Sequence, residues 1–252
     1  MSNNKTKSCY MSPVISKSLL NNTFKNKGDI FRANKSYKEA ISNYLNALLV
    51  DRNNAEIYFS LGVCYKNQNK LNKAIENLEK AVLLDSENYE YFYELGLCHL
   101  KDEVPCKAIK CFIQAIQLEP ENPEIIYHLG LAHELCEEPD MAMMIYQKLI
   151  ENSPTYMSAY LRKSYLLSKM GLYNQALKLY LNALKINPQY TKIYSEIGNC
   201  FDKLGKQKEA KRYYRKFLSA EPEDEKAIRI IHRMKNLRKL KPAIEKSNLS
   251  LV

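Results

Sequence analysis

Residues 89–122, YEYFYELGLCHLKDEVPCKAIKCFIQAIQLEPEN, read as two short helices with a stop after each. Phe92, Leu95 and His99 recur at helical spacing, with Gly96 beside them. The charged run Lys101–Asp102–Glu103 breaks the pattern. Pro105 then stands in the first turn of a second helix, where its missing N–H costs nothing. Ala108, Phe112 and Ala115 line one face of that helix, and Pro120 ends it. Helices of about a dozen residues are marginal alone in water, so each must be held by packing on another. The small residues Gly96 and Ala108 predict a close approach of two helix backbones. A larger side chain there would overpack at a cost of roughly 1–3 kcal/mol.

The same template recurs along the chain with a period of 34. Ala40, Ala74, Ala108, Ala142, Ala176 and Ala210 form one ladder. Gly28, Gly62, Gly96, Gly130, Ser164 and Gly198 form a second, at a constant distance upstream of the first. A fixed period in this range marks a repeat array, in which each unit buries its apolar face only on its neighbours. The expected units are 21–54, 55–88, 89–122, 123–156, 157–190 and 191–224, without insertion. The expected fold is all-α, a solenoid of six helix–turn–helix repeats. One unit departs: Lys163–Ser164 replaces the Leu-Gly pair, and the lysine is expected to snorkel out or meet an acidic neighbour.

These residues resemble the tetratricopeptide repeat family over about four-fifths of the chain. The pentatricopeptide repeats, the nearest confusable family, have a period of 35. The resemblance implies a right-handed α-solenoid of antiparallel helix pairs whose first helices line a concave groove. It also implies that the second, fifth, sixth, ninth and twelfth-to-thirteenth residues of each unit face a ligand.

Those positions are where this chain becomes specific. The fifth positions include Phe59, Tyr93, Tyr127 and Leu161, and the ninth Val63, Leu97, Leu131 and Tyr165. A fifth and a ninth residue lie one helical turn apart on one face. Two adjacent apolar ladders result, with Lys25, Asp29, Ser195 and Asn199 at their ends. Part of them can pack inside the array. A face left over beyond the template core would need a partner, and an amphipathic helix or an extended peptide with apolar anchors fits best. In the sixth-position row, His128 and Arg162 are expected to make polar contacts with that ligand, His128 lying near Glu94 and Arg162. The carboxylate clamp of chaperone-binding family members is not matched: Lys25 fits, but Asp29, Ser60, Glu90 and Glu94 stand where asparagine or a cation is needed. The sixth positions do not form the asparagine ladder of the O-linked N-acetylglucosamine transferase superhelix either.

The ends differ in composition. The net charge of +10 divides as +6 over residues 1–40, −5 over 41–202 and +9 over 203–252. Residues 225–241 place Ala227, Ile230, Ile231, Met234 and Leu237 on one face, as a capping helix for the last repeat. Arg229, Arg233, Lys235, Arg238 and Lys239 on its other face are the candidate basic surface for RNA, an anionic membrane or an acidic partner. No stacking aromatic interrupts them, which counts against single-stranded RNA. Residues 1–20 read as a polar, partly disordered segment and 242–252 as a disordered tail.

Seven cysteines without a CxxC pair read as reduced thiols. No stretch approaches a signal peptide or a membrane span, so the default expectation is cytoplasmic. His99 and His133 recur at a template aromatic position and are expected in the core, not on a metal. The chain carries no phosphate-binding glycine loop, nucleophile elbow or paired carboxylates. The sequence therefore predicts a protein-binding scaffold without cofactor or catalytic residues; self-association is left open.

Overall fold

The computed structural model describes residues 13–235, which form an all-α array. The helices are Pro13–Ala33 (α1), Tyr37–Val50 (α2), Ala55–Asn67 (α3), Leu71–Leu84 (α4), Tyr89–Lys101 (α5), Pro105–Leu118 (α6), Pro123–Leu135 (α7), Pro139–Asn152 (α8), Met157–Lys169 (α9), Tyr173–Ile186 (α10), Ile193–Lys203 (α11) and Gln207–Ala220 (α12). A further helix, α13, occupies 226–235, up to the last described residue. The first residues of α2, α4, α6, α8, α10 and α12 follow one another at the period of the sequence template. Residues 13–20 of the polar N-terminal segment form the start of α1.

The chain folds as two compact units, one ending at Cys136 and the other beginning at Glu137. In the first, α1–α2, α3–α4 and α5–α6 are packed pairs; α3, α5 and α7 each lie on the preceding helix, and α1, α3, α5 and α7 also touch in series. In the second, α9 packs with α10 and α11 with α12, while α9 rests on α8 and α11 on α10.

Local chemistry explains the period. Asn54, Asn88 and Asn122 cap α3, α5 and α7, their side chains accepting from Ile57 N–H, Glu90 N–H and Glu124 N–H at 2.9–3.1 Å. At the other end of each first helix, one residue is left-handed: Lys35, Asn69, Glu103, Glu137, Gly171 and Gly205 have φ of 57° to 79°. The backbone there closes as a Schellman turn; Val104 N–H, for instance, donates to the His99 carbonyl at 2.9 Å. The short reversal thus depends on the same backbone state each time, while its side chain varies.

The glycine ladder has a different cause from the predicted backbone approach. A Cβ on Gly28, Gly96 or Gly198 would lie 2.5–2.6 Å from the ring of Tyr44, Phe112 or Tyr214, and on Gly62 it would lie 2.6 Å from Leu78 Cγ. Each glycine therefore makes room for a side chain of the second helix in its own unit. Those four residues are buried with Ala40, Ala74, Ala108 and Ala210. Ser164 is fully buried, and its hydroxyl donates back to the Tyr160 carbonyl at 2.6 Å. Lys163 is half-buried and does not snorkel freely, with Glu151 as its acidic neighbour. Its Nζ donates to the Gln147 side-chain oxygen at 2.5 Å, and burial pushes its pKa down, opposed by Glu151.

Candidate functional site

In the first unit, α3, α5 and α7 bring Phe59, Val63, Tyr93, Leu97, Tyr127, His128 and Leu131 to the face built by the first helices, each half-buried. Part of the ladders packs on the core. Tyr93 and Leu97 pack against the cluster around Phe112, and Phe59 packs against the one around Leu78. The Phe59 ring lies 4.9 Å from that of Tyr91, and Tyr93 lies 6.0 Å from Phe112. Phe59, Tyr93 and Leu97 are thereby backed by the core on one side.

His128 feels the charge of Glu94 but makes its hydrogen bonds elsewhere. Its Nδ1 lies 2.8 Å from the Glu124 carbonyl and 3.2 Å from the Tyr93 hydroxyl, while the Tyr93 and Tyr127 rings flank it at 5.5 and 5.2 Å. Protonated on Nδ1, the ring donates to the Glu124 carbonyl, with the Tyr93 oxygen as second acceptor. Burial pushes its pKa down against the opposing effect of that carbonyl, so the imidazole is neutral near pH 7. Burial also pushes the Tyr93 hydroxyl up to about 12.

Glu94 is instead paired with Lys66 of the preceding first helix. Similar pairs recur: Lys25 with Glu56 at 2.7 Å in the first unit, and in the second Lys226 with Glu196 at 2.5 Å and Arg233 with Asp202. Sequence reading missed these links. Lys66 and Asp202 do occupy the twelfth position of their units, but which side chain each one meets depends on rotamers of the next repeat or the cap.

The second unit carries Leu161, Arg162 and Tyr165. Leu161 packs partly against the cluster around Tyr180, and Tyr165 is 39% exposed. Lys169 Nζ and the Arg162 guanidinium stand 4.9 and 5.7 Å from the Tyr165 ring. A cleft of about 530 Å³ between α11 and α13 is lined by Asn199, Lys203 and Arg229 among others.

One member of the candidate basic surface is engaged within the array. The Arg233 guanidinium donates to both Asp202 oxygens, at 2.6 and 2.8 Å, and so is spent on the array. Arg229 and Lys235 are exposed; Arg238 and Lys239 lie outside the described residues. Ala227, Ile230 and Met234 are buried against Tyr214 and Phe217, but Ile231 is 45% exposed and does not share their face; Leu237 lies outside the described residues.

His99 is 4% exposed, as a core histidine, whereas His133 is half-buried. Among the described residues no His, Cys, Asp and Glu group could hold a metal ion, and no helix is long and apolar enough to cross a membrane.

Comparison with known proteins agrees with this geometry. A TPR repeat profile matches residues 28–69 and 107–135, and tetratricopeptide repeat profiles match 55–88, 123–156, 158–190 and 191–224. No curated protein matches the chain. Among solved structures, a crystal structure of MamA is 32% identical over 66% of this chain and 96% of its own, with a TM-score of 0.62. A second MamA structure is 30% identical over 69% and 96%, with a TM-score of 0.64. YrrB, described as a TPR protein with an unusual peptide-binding site, is 20% identical over 76% and 97%, with a TM-score of 0.62. With a helical repeat array and these profiles along most of its length, the chain belongs to the tetratricopeptide repeat family, whose fold is a protein-interaction scaffold.

Proposed function

We propose that this chain is a non-catalytic adaptor whose first-helix faces hold a partner peptide or amphipathic helix through apolar anchors. In this reading the six units run from 21 to 224, and 225–241 closes the array as a cap. The observation that carries the proposal is the half-burial of the row residues. Phe59, Tyr93 and Leu97 are fixed from behind by the core and keep their remaining surface for contact. Pre-positioned aromatic and aliphatic side chains lose little entropy on binding, which is what makes interface hot spots effective. Tyr165, Leu161 and Arg162 offer a comparable surface on the second unit, with cations around the exposed ring. Peptide binding by YrrB, a neighbour in fold, supports the same kind of ligand.

Selection from a random peptide display library on the immobilised protein tests this. Wild type is expected to enrich peptides with spaced apolar residues, and Leu131→Glu or Tyr165→Ala to lose a large part of that enrichment with helical circular dichroism unchanged. Absence of any enriched class, or enrichment indifferent to both substitutions, contradicts the proposal.

A second reading, adhesion to RNA or an anionic surface, rests on the exposed Arg229 and Lys235. Such binding must weaken steeply with salt. Filter binding between low and physiological salt decides it, and binding absent or indifferent to salt removes this reading.

A further inference from the structure

Six of the seven cysteines lie among the described residues, and two of them differ from the rest in geometry. Cys64, Cys98 and Cys200 are buried and Cys111 is half-buried. Burial pushes the thiols of Cys64, Cys98 and Cys111 up to about 11 and that of Cys200 upward, so all four stay protonated. Cys106, by contrast, is exposed in the first turn of α6, and its Sγ lies 3.4 Å from the Sγ of Cys136, the residue that terminates α7.

We propose that Cys106 and Cys136 are a reversible redox modification site, closing to a disulfide that staples α6 to α7. The helices already pack on each other. Disulfide bonding needs the sulfurs at about 2.05 Å, so an approach of roughly 1.4 Å is required. Both residues sit at helix ends, where a side-chain rotation and a small backbone adjustment disturb no intrahelical ladder. The two positions are 30 residues apart in sequence. The link would therefore close a loop containing nearly all of both helices and restrict the unfolded chain accordingly.

The oxidant is a small-molecule disulfide such as oxidised glutathione. Cys106, having given up its proton, attacks one glutathione sulfur; the mixed disulfide forms and one glutathione thiolate leaves. Cys136, deprotonated in turn, attacks the Cys106 Sγ and expels the second glutathione thiolate. The protein loses two electrons and two protons, and oxidised glutathione becomes two reduced glutathione molecules. Excess reduced glutathione or dithiothreitol reverses both steps.

The test uses the full chain equilibrated in glutathione buffers from reducing to oxidising, acid-quenched, alkylated and mapped by mass spectrometry. The expected result is monomeric protein lighter by two hydrogens, with Cys106 and Cys136 in one cross-linked fragment that dithiothreitol releases. Oxidised wild type should also melt several degrees above Cys106→Ser in the same buffer, whereas the two should melt alike when reduced. Because the map is made on wild type, it does not depend on how the variant folds. Both thiols remaining open to alkylation at the most oxidising ratio would overturn the proposal. So would a mixed disulfide that never resolves, or linkage to Cys9 or between copies. A link that forms without raising the melting temperature would overturn the staple.

Discussion

The Phe112 ring lies so close to Gly96 that a Cβ built on the glycine would stand 2.6 Å from Cε1. Gly96→Ala is therefore expected to destabilise the protein. The gain in helix propensity, about 1 kcal/mol, is outweighed by overpacking of roughly 1–3 kcal/mol and by displacement of a ring with no exposed surface. Urea denaturation reads the balance. Gly62→Ala should cost a similar amount, because a Cβ there would lie equally close to Leu78, 2.6 Å from Cγ. Stabilisation by Gly96→Ala would contradict this packing.

His99 is the residue whose removal should help. Its buried Nδ1 has no hydrogen-bond partner, a penalty on the order of 1–3 kcal/mol. Its positional counterparts in other units include Phe31, Tyr65 and Phe201. His99→Phe is expected to raise stability by about 1 kcal/mol, overpacking taking back part of the gain. Urea denaturation of the variant beside wild type checks the sign.

The same residue, with His128, gives a pH dependence. Burial pushes both imidazoles below their ordinary value, His99 with help from Lys107. Unfolding restores a pKa of about 6.5, so the unfolded chain takes up protons that the folded one resists. Their contribution is complete above about pH 6.5 and is lost as pH falls from there toward the folded-state values. Denaturation midpoints should thus decline from about pH 7.5 to 5.5, with a shallower slope in His99→Phe. An unchanged slope would contradict the assignment.

Glu103 adopts φ 57°, a conformation that costs a residue with a Cβ roughly 1–2 kcal/mol and glycine almost nothing. Glu103→Gly is expected to stabilise by about 0.5–1 kcal/mol after the entropy glycine adds to the unfolded chain. Gly171→Ala, at φ 79°, should destabilise. Thermal denaturation of the two variants checks the pair of opposite signs.

Arg233 tethers α13. The Asp202 side chain it grips is only 7% exposed, while Arg233 itself is 48% exposed, so solvent weakens the pair without abolishing it. Arg233→Ala leaves that carboxylate with the Tyr214 hydroxyl at 3.5 Å, at a cost of about 1–2 kcal/mol. Amide exchange in 226–235 should accelerate about 5- to 30-fold while α5 and α6 are unaffected.

Much of the fold was legible because every unit repeats one backbone solution. The alanines and glycines mark it directly, and Asn54, Asn88 and Asn122 repeat a cap at the same interval. Other parts carried no such mark. The left-handed turn position holds Lys, Asn, Glu, Glu, Gly and Gly, so only Gly171 and Gly205 advertise it. The neighbour that fills the space at Gly96 stands on another helix, which spacing within one helix does not indicate. Ile231 fits a helical stripe on paper, yet α13 turns Ala227, Ile230 and Met234 inward and leaves it out. In the candidate site, the row membership of Tyr93 and Leu97 could be read from the period, but their support by Phe112 and the pairing of Lys66 with Glu94 required the packed structure.

The central claim is that the first-helix rows carry the binding energy and the rest of the repeat carries the fold. Titration calorimetry with a display-selected peptide tests it most directly, comparing Leu131→Ala and Tyr165→Ala with Leu83→Ala, a substitution at an 85% exposed leucine on a second helix. At least one row variant should weaken binding by about 30-fold, a hot-spot loss near 2 kcal/mol, with Leu83→Ala unchanged. Wild-type affinity in both row variants, or an equal loss in Leu83→Ala, would contradict the account.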